Sequence, residues 1–175
     1  MSSLCTYASC SFVWSTWVKT PALKGKDLLI ASACLPIVNP TLFQEISRDK
    51  FILLACPEKE PTAYYGKIAS IIRSTEPRSI TVVTIDGSPH CFALQASVNE
   101  AEYILSTKIN KKHFVVVNGI EIREISPNTI RVARYLHLVD NMLKKVPNEL
   151  KKLEYLSLEY RNALKTELQK DDNNN

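Results

Sequence analysis

The sequence contains little glycine and none of the short motifs that glycine builds. Its 175 residues include only four glycines, and the turn after the first predicted strand, SACLPIVNP, has none. The Gly-x-Gly-x-x-Gly fingerprint, which lets the backbone approach a pyrophosphate closely, is absent, and so is the Gly-rich sequence of a P-loop. We therefore expect no nucleotide cofactor.

The sequence also lacks features of membrane, secreted and nucleic-acid-binding proteins. No uninterrupted apolar run reaches the roughly 18 residues that a transmembrane helix needs. No basic residue precedes Lys19, whereas a secretory signal begins with positive charge. The net charge of +4 is too small to predict nucleic-acid binding. These absences predict a cytoplasmic protein with neither membrane nor nucleic acid as a partner.

Cysteine occurs five times, but not at the spacings of the common thiol enzymes. No two cysteines form Cys-x-x-Cys, which excludes thioredoxin-type redox chemistry. His90-Cys91 begins like the His-Cys-x5-Arg phosphate loop of a phosphatase, but Ser97 stands where the arginine should be. In a reducing cytoplasm we expect all five cysteines to be free thiols or metal ligands.

Apolar runs rich in branched residues predict four strands, at 27–33, 51–55, 79–85 and 113–117. These runs do not alternate with polar residues, as is typical of parallel strands covered on both faces. Helical patterns lie between them, at 39–47, 60–75 and 91–106. The alternation predicts an α/β fold with an open, mostly parallel sheet of four to five strands, flavodoxin-like or Rossmann-like, with helices on both faces.

The predicted domain has extra segments at both ends. Residues 1–26 are expected to pack on or extend the α/β domain, which we place at 27–125. Ser126-Pro127 and Pro147 each resemble a helix start, so residues 126–170 are predicted to form two additional C-terminal helices. These helices would cover the sheet or pair two copies in a homo-oligomer. Residues 171–175 are predicted to be a disordered tail.

Three cysteines directly follow predicted strands. Cys34 follows the first strand, Cys56 the second, and Cys91 the third after a turn that ends in His90. Ligands of open parallel sheets sit beyond the carboxyl ends of the strands, where these four side chains would meet. Three thiolates and an imidazole suit tetrahedral zinc, and three or four such ligands can hold an iron–sulfur cluster. The alternative is that each cysteine is an ordinary small core residue.

The succession DLLIASACLPIVNPTLF, KFILLACPEKEPTAYYGKIASIIRS and RSITVVTIDGSPHCFAL resembles a known family over residues 27–105. That family is the α/β domain joined to small 4Fe-4S ferredoxin-type proteins of archaea and anaerobic bacteria. The resemblance aligns Cys34, Cys56-Pro57 and Pro89-His90-Cys91 with the family's cysteines and implies a redox or iron–sulfur context. Here His90 replaces the first cysteine of a pair, and Phe92-Ala93 replaces two glycines.

We therefore expect a redox-associated protein with a Cys/His metal or iron–sulfur site at the carboxyl edge of its sheet, formed by Cys34, Cys56, His90 and Cys91. It would act in electron transfer or redox sensing, together with a redox-protein partner. The alternative is a non-catalytic interaction or assembly subunit with a degenerate site. A third hypothesis is a thiol enzyme that uses Cys91 in the first turn of a helix.

Overall fold

The computed structural model describes residues 10–60 and 64–172, and it contains one six-stranded sheet. The strands are β1 (Ser11–Phe12), β2 (Asp27–Ser32), β3 (Phe51–Ala55), β4 (Ser79–Ile85), β5 (Lys111–Val117) and β6 (Glu121–Ile125). Their order is β1-β3-β2-β4-β5-β6, with all neighbours parallel except β5 and β6. The predicted open, mostly parallel α/β sheet is confirmed.

Helices connect the parallel strands. They are α1 (Leu35–Val38), α2 (Pro40–Ser47), α3 (Tyr64–Thr75) and α4 (Pro89–Leu105), and a short 3-10 turn, Pro21–Leu23, precedes β2. The helix predicted at 60–75 is α3, which is described from Tyr64 onward. Glu60 lies in a bend before it, and residues 61–63 are outside the described residues. Asn39 and Ser88 cap α2 and α4 through their side chains, and proline follows each cap.

The sheet is covered by helices on both faces, as predicted. On one face, α1 and α2 place Leu35 and Phe43 against Leu29 and Ala31 of β2. On the other face, α3 and α4 pack an apolar cluster against β2, β3 and β4; it includes Ile68, Ile71, Leu94, Val98, Leu28, Ile30, Leu53 and Val82. The connection from β2 to β3 therefore runs over one face, and the connection from β3 to β4 runs over the other.

Two strands extend the sheet beyond the four long apolar runs. The predicted extra strand at 118–125 is β6, which pairs antiparallel with β5. The predicted total of four to five strands is one too low because Ser11–Phe12 adds β1 at the opposite edge, beside Leu53 and Leu54. Two residues are too few to give a periodic pattern in the sequence.

The turn between β5 and β6 depends on glycine. Asn118 (φ 50°) and Gly119 (φ 74°) both adopt the left-handed conformation, as in a type I′ turn. A Cβ atom on Gly119 would lie only 2.8 Å from Val38 Cγ1, and Asn39 Nδ2 donates a hydrogen bond to the Gly119 carbonyl at 3.1 Å. The turn therefore contacts the loop and helix that follow β2.

An ionic contact joins β2 and β4 at the amino edge of the sheet. The Asp27 carboxylate accepts hydrogen bonds from Ser79 Oγ at 2.6 Å and from Arg78 Nε at 3.0 Å, and it also pairs with Arg78 Nη2. These donors hold the pKa of the Asp27 carboxyl well below its usual range. Asp27 and Ser79 are also partners in the strand register, so the contact lies between two residues already held side by side.

The chain divides into two compact units, 1–130 and 131–175. From residue 126 onward the prediction of two helices is wrong, because the structure contains α5 (Pro127–Val132), α6 (Leu136–Lys145), α7 (Pro147–Leu150), α8 (Leu153–Leu156) and α9 (Leu158–Asp172). Part of the reason is Ser157, whose hydroxyl accepts from Tyr160 N at 3.1 Å and so starts a new helix within the second predicted one. The last helix includes two residues of the predicted tail, and 173–175 lie outside the described residues.

The second unit contains the amphipathic helix α6 but no buried residue between 131 and 165. Its large exposed apolar side chains include Leu136, Met142, Val146, Tyr155, Leu156 and Leu158. Within the described chain, no helix is both long and apolar enough to cross a membrane.

Candidate functional site: thiols at the switch point of the sheet

The direction of the crossovers reverses between the carboxyl ends of β2 and β4, and in open α/β sheets this is where the ligand crevice lies; we call this place the switch-point crevice. These two strands are neighbours, with Ala31 opposite Val83. The chain leaves β2 toward one face through α1 and leaves β4 toward the other face through α4. Such a topological switch point is where open α/β sheets bind their ligands.

Cys91 is fixed on the β4 side of this crevice. It lies in the first turn of α4, where its backbone N–H donates to the Ser88 hydroxyl at 3.3 Å. Its sulfur lies 3.1 Å from Ser32 Oγ, at the last position of β2. The residue is only 7% exposed. Ser32 therefore contacts a nearly buried thiol, and Ser88 fixes the backbone that carries it.

Cys34 lies on the β2 side and is exposed. It is the residue at which α1 begins, and its carbonyl accepts hydrogen bonds from Ile37 N and Val38 N, both at 3.0 Å. Partial burial of the sulfur raises the pKa of the Cys34 thiol, and the nearby Cys91 and Cys56 sulfurs raise it further. The three thiols therefore share one electrostatic neighbourhood.

Cys56 follows β3 and is held by a carboxylate. Glu60 accepts a hydrogen bond from Cys56 N at 2.8 Å with one oxygen and from Trp14 N at 2.9 Å with the other. One side chain thus joins the loop after β3 to the segment after β1. Cys56 is half-buried and packs against the apolar cluster on the α1/α2 face.

His90 precedes Cys91 but has its own contact. Its Nδ1 lies 3.7 Å from Glu58 Oε2, and both side chains are largely exposed. The structure therefore places His90 beside a carboxylate at the rim of the thiol edge. A carboxylate in this position can orient an imidazole and leave Nε2 available to a metal.

The four predicted ligands lie at one edge of the sheet but do not form a preassembled metal centre. In residues 10–60 and 64–172, no group of three or more His, Cys, Asp or Glu side chains is arranged to hold a metal ion. The thiols fit zinc or an iron–sulfur cluster in donor chemistry, whereas binding either would require the loops to draw them closer together. The metal site stays a prediction.

The expectation that all five cysteines are free is wrong for Cys10. That residue is disulfide-bonded, whereas Cys34, Cys56 and Cys91 are free. Which cysteines come close enough to pair depends on the path of the N-terminal segment, and apolar patterning says nothing about that path.

The sequence analysis missed a buried polar network below the crevice. Gln95, one helical turn after Cys91, donates through Nε2 to Thr84 Oγ1 at 3.0 Å and to the Phe114 carbonyl at 2.8 Å. Its Oε1 lies 2.6 Å from Nδ1 of His113, which therefore carries the proton. The His113 side chain is therefore hydrogen-bonded although the residue is only 1% exposed. The i, i+4 spacing of Cys91 and Gln95 was the available signal.

Comparison with known proteins agrees with this fold. A family described as a Rossmann-like domain matches residues 20–171, which is most of the chain. No curated protein and no solved structure matches the sequence. The family match and the six-stranded, mostly parallel sheet together show that this chain belongs to the Rossmann-like domain family.

Proposed function

We propose that this is a redox-associated protein that binds a metal ion or an iron–sulfur cluster at the carboxyl edge of its sheet. Cys34, Cys56 and Cys91 would be the ligands, with His90 as a fourth, and the site would serve electron transfer or redox sensing. The observation that carries the proposal is that the three free thiols, Cys56, Cys34 and Cys91, follow the three adjacent strands β3, β2 and β4 at the same edge of the sheet.

Several features support metal binding by these side chains. Cys91 already has a hydroxyl beside its sulfur, the type of outer contact that orients a metal ligand. Glu58 stands beside His90 Nδ1 in the corresponding role. Cys34 is exposed at the start of α1 and is therefore accessible to an incoming ion. The resemblance to domains joined to 4Fe-4S ferredoxin-type proteins adds a redox-protein partner to the proposal, which retains the cytoplasmic location expected from the sequence.

Anaerobic reconstitution tests this proposal. The full chain would be incubated either with iron and sulfide or with zinc, desalted, and analysed for bound metal and for visible absorbance. We expect stoichiometric metal in the wild type and a clear loss in the C34S, C56S, C91S and H90Q variants. H137Q is the matched control for H90Q, because His137 is an exposed imidazole in the other unit. A colourless, metal-free wild type with all three thiols titratable would contradict the proposal.

A second candidate function is a non-catalytic assembly subunit, and the helical unit favours it. Residues 131–165 include no buried side chain although α6 is strongly amphipathic, and units of this size rarely reach stability without a partner surface. Light scattering of the full chain would report a homo-oligomer. The L136K/M142K variant should become monomeric, whereas the exposed control Y103K on α4 should not. A monomeric wild type would exclude assembly between copies.

A further inference from the structure

We propose that Cys34 and Cys91 form a two-thiolate site across the switch-point crevice for a soft monovalent d10 cation of the Cu⁺ type. This inference deepens the proposed function and rests on it in one respect, namely that the edge thiols bind metal. It differs in committing to two ligands and to one class of ion.

The first argument is position. Cys34 and Cys91 follow β2 and β4, the two adjacent strands that flank the crevice, and their helices leave on opposite faces of the sheet. Cys56 follows β3, on the far side of β2, and packs against the α1/α2 face. Among the free thiols of the described chain, only Cys34 and Cys91 therefore lie on the two sides of the crevice.

The second argument is the unequal exposure of the two cysteines. Cys34 is exposed and can meet an incoming ion, whereas Cys91 is 7% exposed and stays in place through Ser32 and Ser88. One accessible and one nearly buried ligand allow an ion to be captured first and then enclosed. The Ser32 hydroxyl contacts the Cys91 sulfur and can donate a hydrogen bond to its thiolate.

The third argument is the number and type of donors. Soft thiolates bind Cu⁺, zinc and iron–sulfur clusters, and of these the monovalent d10 ion is the one that two thiolates can satisfy, in a linear arrangement. Zinc requires four ligands and iron–sulfur clusters three or four, and no group of three is arranged for metal binding in the described residues. Two thiols are therefore the donor set that the crevice supplies with the least rearrangement.

The binding step balances as the exchange of two protons for one cation. Each S–H bond breaks, its proton goes to solvent, and each sulfur forms one bond to the ion, which gives a bis-thiolate complex of net charge −1. Binding by two thiols should therefore release close to two protons per ion. No electron is transferred.

The experiment is titration of the full chain with Ag⁺, which is a redox-inert probe of the same class, and with Cu⁺ in competition with a chromophoric chelator. The protein is purified without reductant, so that its Cys10 disulfide stays intact. We expect one ion per chain and about two protons released. Wild type and C56S should bind equally.

The C34S and C91S variants should each bind more than about 100-fold more weakly, since removal of an outer contact alone typically costs 10–100-fold. C34S alters an exposed position, so its loss of affinity cannot be attributed to misfolding of a buried site. An equal loss in C56S, or a site that also needs His90, would overturn the two-thiolate assignment and leave the proposed function standing. Absence of binding for Ag⁺, Cu⁺, zinc and iron alike would overturn both.

Discussion

The hydroxyl of Ser32 lies 3.1 Å from the sulfur of Cys91, although 59 positions separate the two residues in the chain. The contact joins the end of β2 to the first turn of α4 across the switch-point crevice. It therefore couples the position of a candidate ligand to the pairing of two central strands, which gives the thiol a rigid support.

Removing this hydroxyl should weaken metal binding more than it weakens the fold. S32A deletes one buried hydrogen bond, which typically contributes about 1 kcal/mol to stability. Loss of an outer contact to a ligand should lower metal affinity roughly 10–100-fold. Denaturant unfolding and metal competition would measure the two effects. The control is S97A, a buried serine whose hydroxyl donates to the Leu94 carbonyl, and metal affinity there should be unchanged.

Alkylation of Cys34 should show its raised pKa. The thiolate is the form that reacts, so the alkylation rate rises with pH as the thiol loses its proton. We expect this rise to occur at a higher pH for Cys34 than for a model thiol. C91S removes the larger of the two thiol contributions and should move the profile toward lower pH. C56S should move it by less, because the contribution of Cys56 is smaller. Identical profiles in all three proteins would contradict the proximity of these sulfurs.

Glu60 should stabilise both the N-terminal segment and the loop that carries Cys56. E60A leaves the backbone N–H groups of Trp14 and Cys56 without their acceptor, and we expect a loss of about 2 kcal/mol in the free energy of unfolding. E60Q retains one acceptor oxygen and should lose about half as much. Urea denaturation would measure both, and E58A, an exposed carboxylate in the same loop, should stay within about 0.5 kcal/mol of wild type.

Acid should weaken the contact between Asp27 and Arg78. The folded-state pKa of Asp27 is depressed, so its contribution to stability is present above the unfolded pKa of about 3.9 and is lost as the pH falls below that value. D27N should therefore be less stable than wild type at neutral pH, with a difference that shrinks progressively below about pH 4. Denaturation midpoints at several pH values would measure this difference. A difference that is constant with pH would contradict the ionic origin of the contact.

Two glycines with the same backbone conformation offer a matched test of the β5–β6 turn. Gly87 (φ 76°) has open space around the position of an added Cβ. G87A should therefore lower the free energy of unfolding only by the strain of a left-handed backbone, roughly 1–2 kcal/mol. G119A should cost more, because its Cβ would lie 2.8 Å from Val38 Cγ1. The V38A/G119A double variant should be compared with V38A alone. In that background, G119A should lower the free energy of unfolding by only as much as G87A does in the wild type. Equal losses in G87A and G119A would show that Val38 moves aside freely.

The fold was largely predictable, because four uninterrupted apolar runs define β2 to β5 and the segments between them have helical periodicity. The ends of those runs also place Cys34, Cys56 and Cys91 after β2, β3 and β4, as predicted. Contacts between distant side chains were not predictable. The pairing of Gln95 with His113 depends on the rotation of α4 about its own axis, and the disulfide of Cys10 depends on the path of a segment without periodicity.

The two edges of the sheet differ in the contacts that they carry. The ionic contact of Asp27 with Arg78 lies at the amino edge, whereas the thiols lie beyond the carboxyl ends of the same strands. Substitutions at well-separated positions usually have additive effects. A protein engineer could therefore replace Cys34 or Cys91 with other donors, to alter the proposed metal site, while the amino-edge contact between the strands stays intact.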